Sequence, residues 1–224
     1  MKNNFDGLVN KTKNKTDQQI DKNKMERVYD EAIYIMKSAN AAEDMEEASR
    51  RFESLGGYRD AEEQVAIYGY NLGIMYLGGL GVTKDEKQEA ELFHKAAEQG
   101  YAVAQCILGW LYDNGRGVPQ DNKQAAEWHR KAAEQGNEDA QFNLGVTYYR
   151  GHSVPQDYKQ AVKWYRKAAL QGESNAQNNL GAMYEKGRGA PLDHEQSAEW
   201  YSKAAVHGHP DAKKSLIRLH KKQR

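Results

Sequence analysis

A period of 36 residues constrains this chain more than any other feature. Leu-Gly recurs at Leu72-Gly73, Leu108-Gly109, Leu144-Gly145 and Leu180-Gly181, and a tyrosine follows each glycine by three residues, at Tyr76, Tyr112, Tyr148 and Tyr184. Pro119, Pro155 and Pro191 keep the same spacing, as do Asp85, Asp121, Asp157 and Asp193. So do Leu92 with Trp128, Trp164 and Trp200, the Lys-Ala-Ala triplets from Lys95, Lys131, Lys167 and Lys203, and Gly100, Gly136, Gly172 and Gly208. Residues 104–139 and 140–175 are identical at 20 of 36 positions without a gap. Self-similarity at a fixed period of about 20 to 50 residues marks a stack of small units, each completing its neighbour's apolar face.

Each unit reads as two helices. The first, over Ala102 to Asn114, carries Ala104, Leu108 and Tyr112 at helical spacing, and Gly115 stands where a left-handed stop belongs. The second starts after Val118-Pro119-Gln120 with Asp121 as N-cap and runs through Ala125, Trp128 and Ala132 to a stop at Gly136. Neither helix buries its stripe alone, and Gly109, Ala132 and Ala133 let neighbours approach closely. The expected fold is all-α, a right-handed α/α superhelical solenoid of stacked antiparallel helix pairs.

The organisation follows. Residues 1–25 are rich in Lys and Asn, with few large apolar groups to offset ordering entropy, and are expected to form a disordered tail. Residues 26–57 read as a helix pair outside the 36-residue register, 58–211 as four repeats, and 212–224 as a polar capping helix. The charges cancel, 32 Lys plus Arg against 32 Asp plus Glu, which argues against a nucleic-acid partner. The longest apolar run, Ala32 to Met36, is far below the roughly 20 residues of a membrane span. A single cysteine, Cys106, and no secretory leader point to the cytoplasm; export by a route without a leader stays open. The capped C-terminus points to a monomer.

The pattern Ala-x-x-x-Leu-Gly-x-x-Tyr, Gly-x-Gly-Val-x-x-Asp, Ala-x-x-Trp-x-x-Lys-Ala-Ala-x-x-Gly resembles the Sel1-like repeat (SLR) family, a branch of the tetratricopeptide-like helical repeats. Four copies cover about residues 68–211, and Leu55-Gly56-Gly57-Tyr58-Arg59-Asp60-Ala61 makes 26–57 look like a divergent tetratricopeptide-type pair. Tyr68 replaces the repeat alanine, Leu92 the tryptophan, and Ser153 a loop glycine. The resemblance implies a bacterial-type, non-enzymatic scaffold or adaptor for another protein or peptide segment. It leaves two alternatives: an effector acting on host proteins, and a β-lactam-binding or β-lactamase-like enzyme, as in cysteine-rich relatives. One cysteine without a pair argues against the second alternative.

Features that imitate active sites have packing explanations. Gly79-Leu80-Gly81, Gly115-Arg116-Gly117 and Gly187-Arg188-Gly189 have phosphate-loop spacing, but they follow helix C-termini, where carbonyls and the negative dipole end face outward. Arg116, His152 and Arg188 recur as a loop-edge row. His207-x-His209 lacks further ligands nearby, so no metal and no cofactor are expected. Cys106 has no base or helix N-terminus to activate it. No catalytic residue is assigned. Trp128, Trp164 and Trp200 keep strict register and read as a packing ladder. Function belongs where register breaks. Carrying over tetratricopeptide-like geometry puts the first helices on a concave groove, with Tyr70, Ile74, Cys106, Trp110, Asp113, Phe142, Val146, Tyr149 and Asn178 facing a partner. Aromatic anchors concentrate binding energy, and Trp110 lies outside the ladder.

Overall fold

The computed structural model describes residues 21–38, 42–56, 58, 61–78 and 85–222, the side chains of residues 42, 43, 62, 63, 66, 74–78 and 222 excepted. Among the described residues the regular elements are all α-helices, with no strand. None of these helices is long and apolar enough to cross a membrane. Two compact units divide the chain, Met1–Gln99 and Gly100–Arg224. The first holds α1 (residues 21–38), α2 (Ala42–Glu53), α3 (Ala61–Gly78) and α4 (Glu86–Glu98). The second holds α5 (Ala102–Asn114), α6 (Asn122–Glu134), α7 (Glu138–Arg150), α8 (Tyr158–Gln171), α9 (Ser174–Lys186), α10 (His194–Val206) and α11 (Ala212–Lys222).

In the first unit, Tyr29, Ala32, Ala48, Phe52, Leu55 and Ala61 form a core on which Met25 and Val28 pack. Residues 21–25, grouped with the tail on composition, are helical, and Met25 supplies the apolar contact that this composition hid. Residues 1–20 and the loop glycines 79 and 81 lie outside the described residues. A second cluster joins Met45, Tyr68 and Leu72, with Met36 and Leu92 against it.

The second unit is a solenoid of antiparallel helix pairs in which each helix packs on the next from α5 to α11. The repeated aspartate explains where second helices begin. The Asp121 carboxylate accepts from the backbone amides of Lys123 and Gln124 at 2.9 and 3.1 Å, and Asp157 does the same with Lys159 and Gln160. Two donors that the helix would leave unpaired are thus satisfied at each start. The amide of each aspartate also donates back to the preceding helix, Asp121 to Tyr112 O and Asp157 to Tyr148 O, both at 3.0 Å. First helices stop at Gly115, Gly151 and Gly187 in the left-handed conformation, φ 61 to 71°.

The Leu-Gly glycine is a docking slot for the ring that follows the tryptophan position. A Cβ on Gly109 would lie 2.7 Å from the His129 ring, one on Gly145 2.6 Å from Tyr165, and one on Gly181 2.9 Å from Tyr201. The tryptophans Trp128, Trp164 and Trp200 are 8, 7 and 4% exposed. Over each lies the ammonium of the Lys-Ala-Ala lysine, Lys131 at 3.8 Å from the ring centroid, Lys167 at 4.4 Å and Lys203 at 4.3 Å. Cation–π attraction thus caps the ring, and the two alanines let helices close up. A glutamine seam joins neighbouring repeats: Gln135 donates to Gln105 at 2.7 Å and Gln171 to Gln141 at 2.9 Å, while Gln141 and Gln177 donate to the carbonyls of Ala133 and Ala169. His207 Nδ1 takes the third place in that seam, 2.9 Å from Gln177 Oε1. The capping helix is pinned by charge as well as by Ala212 and Leu219: the buried Glu185 accepts from Tyr201 Oη at 2.9 Å and from Arg218 at 2.7 Å.

Candidate functional site

The first helices α5, α7 and α9 leave two clefts, one on each side of α7. The cleft between α5 and α7 encloses about 490 Å³ and is polar, lined by Asp113, Asn114, Gln120, Asn143, Thr147 and His152 among others. Asp113 stands 3.3 Å from Nε2 of His129, the buried ring in the slot of Gly109. Gln120 closes the loop side by donating to the Asp113 carbonyl at 2.8 Å.

The cleft between α7 and α9 encloses about 350 Å³ and has an aromatic and aliphatic interior of Phe142, Val146, Tyr149, Tyr165, Ala182 and Met183. Its floor is fixed by the glycine slot, since Gly145 lets the Tyr165 ring lie against the backbone of α7. Phe142 packs on that ring with centroids 6.0 Å apart. Burial pushes the Tyr165 hydroxyl well above the ordinary phenol range, and Asn179 bonds to it, so the floor carries no charge at neutral pH. Arg150, Lys186 and Arg188 stand at the rim. Arg188 is held in place: it donates to Tyr149 Oη at 3.0 Å and lies 5.6 Å from the centroid of Tyr158. The loop that carries it requires glycine at 189, where φ is +73° and a Cβ would sit 2.0 Å from the Tyr158 carbonyl oxygen.

The residues expected on a groove divide. Phe142 and Val146 line both clefts, Tyr149 lines the apolar one, and Asp113 the polar one. Trp110 lines neither; it is 44% exposed with the Arg116 guanidinium 5.8 Å from its ring centroid. Cys106 also lines neither. It is buried in a cluster with Ala132, Ala133, Ala140, Leu144 and Trp164, because its small side chain fits beneath the helix surface where the bulkier Phe142 of the next repeat does not. That burial pushes the thiol up to about 12, so at neutral pH Cys106 is a protonated core residue. Asn178 is half-buried on α9, and Tyr70, in the first unit, packs edge-on against Phe93 at 6.1 Å. The Ile74 side chain lies outside the described residues. Tyr165, Met183, Arg150 and Lys186 were not singled out from sequence, and Arg188 was read only as one of a row of loop-edge charges with Arg116 and His152.

Comparison with known proteins fits this architecture. The family model described as Sel1 repeat matches residues 70–101, 102–137, 138–173 and 174–209. A protective antigen of uropathogenic Escherichia coli displaying an SLR fold is similar at 32% identity and a TM-score of 0.70, over 88% of this chain and 41% of that one. This chain thus spans about two fifths of the length of that antigen. A Sel1 repeat protein from Oxalobacter formigenes is similar at 27% identity and a TM-score of 0.65, over 84% of this chain and 86% of that one. Among curated proteins, none matches. With four repeats matched across more than half of its residues, the chain belongs to the Sel1 repeat family.

Proposed function

We propose that this chain is a non-enzymatic scaffold that holds a segment of a partner protein against the first helices of its solenoid. Sel1 repeat solenoids generally serve as protein-interaction scaffolds, which supports the class. The observation that carries the reading is the α7–α9 cleft, where a preformed apolar interior meets a rim of fixed polar groups. That combination is how proteins anchor one large side chain and orient the segment around it. The sequence of helix stops and N-caps makes the frame rigid, so little ordering entropy is lost on the scaffold's side when a segment docks. Trp110, exposed on α5 beneath Arg116, offers a second aromatic contact on the same set of helices.

Affinity purification from the native cell tests this reading, comparing wild type with Trp110→Ala combined with Phe142→Ala after circular dichroism shows both folded. The expected result is a protein recovered near stoichiometry with wild type and lost with the double variant. Equal recovery with both would place the interaction elsewhere on the molecule.

A further inference from the structure

Three cations surround the α7–α9 cleft, and no carboxylate lines it. Among the described residues, no ion pair to a carboxylate is formed by Arg150, Lys186 or Arg188. Arg150 and Lys186 close the last turns of α7 and α9, where a cation complements the helix dipole. The dipole does not demand them, however: Asn114 occupies the same position of α5, a helix with the same left-handed glycine stop. Arg188 lies beyond the helix end and is oriented by Tyr149 and Tyr158 over the mouth of the cleft. Cations at the edge of a concavity lined by aromatic and aliphatic side chains concentrate their field where a bound chain would pass.

From this we infer that the α7–α9 cleft takes an acidic peptide segment of a partner protein, a large apolar side chain entering the cleft while flanking Asp or Glu carboxylates meet Arg150, Lys186 and Arg188. The inference rests on the scaffold reading and adds the chemistry of the partner. A volume of about 350 Å³ suits one large side chain, not an extended polymer. The chain's own N-terminal segment is the wrong occupant on charge, since residues 2–24 hold six Lys against three Asp. Asn179 and the Tyr149 hydroxyl, both lining the cleft, supply the polar partners that a peptide backbone needs beside an apolar anchor.

The test is selection of a random peptide library displayed on phage against the full chain, run in parallel on two variants confirmed as folded by circular dichroism. Ala182→Trp fills the cleft without removing a core side chain, and Arg150→Ser with Lys186→Ser and Arg188→Ser neutralises the rim. Wild type is expected to enrich peptides in which Phe, Trp, Leu or Met is flanked by Asp or Glu. A selected peptide, made synthetically and labelled for fluorescence polarisation, should bind about tenfold more weakly to the neutralised variant, and more weakly as salt is raised. It should not bind Ala182→Trp. Peptides blocked by Ala182→Trp but lacking acidic residues, or indifferent to the neutralised rim, would overturn the acidic chemistry and leave the scaffold reading standing. Binding that survives Ala182→Trp, or a library with no enrichment, would overturn the cleft as a peptide site, and the scaffold reading of it too.

Discussion

The two clefts beside α7 are built from the same positions of successive repeats, yet one is lined mainly by polar groups and the other by aromatic and aliphatic side chains with a cationic rim. Moving 36 residues along the chain, Asp113 becomes Tyr149, Asn114 becomes Arg150, Thr147 becomes Met183, Arg150 becomes Lys186 and His152 becomes Arg188, while Asn143 keeps its identity as Asn179. The ring in the glycine slot changes with them, His129 beside Asp113 in one repeat and Tyr165 beside Phe142 in the next. Apart from the slot ring, the positions that stack helices largely hold constant, and apart from Asn143, those that face the clefts mostly vary. A repeat protein can thus separate folding from recognition, because each repeat contacts only its neighbours and one cleft can change without disturbing the frame.

The largest effect should come from breaking the frame that both clefts share. Trp164→Ala removes a ring that is 7% exposed and packed among Cys106, Ala132, Ala133, Ala140 and Leu144. The expected cost is about 3 to 5 kcal/mol in denaturant unfolding, with both clefts lost together. A cost below about 1 kcal/mol would mean that the tryptophan covers surface without organising it. A smaller effect should separate the clefts. Gly145→Ala places a methyl 2.6 Å from Tyr165, and Gly109→Ala places one 2.7 Å from His129. Each should destabilise by about 1 to 3 kcal/mol through overpacking, less the roughly 1 kcal/mol by which alanine favours a helix over glycine. Only Gly145→Ala should also lower affinity for a peptide bound between α7 and α9, because it lifts the floor of that cleft. Equal binding losses from the two variants would show that the clefts are coupled through the frame.

Much of this frame was legible in the sequence. The span Ala102 to Asn114, the Asp121 N-cap and the left-handed stop at Gly115 each follow from local chemistry that recurs every 36 residues, and the structure shows them. The glutamine seam was not read from the sequence: Gln105, Gln141 and Gln177 recur at the same period, as do Gln135 and Gln171, but their role emerges only once they are seen paired in space. The cleft was less legible because its identity comes from neighbours. Cys106 and Phe142 share a register position, but one is covered and the other lines two clefts. Tyr165 follows a ladder tryptophan and reads as packing. The available signal was its variation, Phe93, His129, Tyr165 and Tyr201, against a glycine that never changes. The rim cations read as ordinary helix-end and loop charges until Arg188 is seen bonded to Tyr149 across the mouth.

The smallest predicted effect tests which difference between the clefts matters. Thr147 is half-buried, and its hydroxyl donates to the Asn143 carbonyl of its own helix at 3.0 Å, a bond that adds little to a helix already paired. Thr147→Met gives the α5–α7 cleft the side chain that Met183 gives its neighbour and should leave stability within about 0.5 kcal/mol. Arg150 lines both clefts, so after this change the α5–α7 cleft has apolar lining and a cation but keeps Asp113 at its edge. If charge as well as apolar surface selects the partner, a peptide chosen by the wild type still binds once per chain, with an affinity changed by less than about twofold, because Asp113 repels its carboxylates. Titration to two peptides per chain would show instead that one methionine is enough to convert the cleft, and that the rim cations tune binding without deciding it.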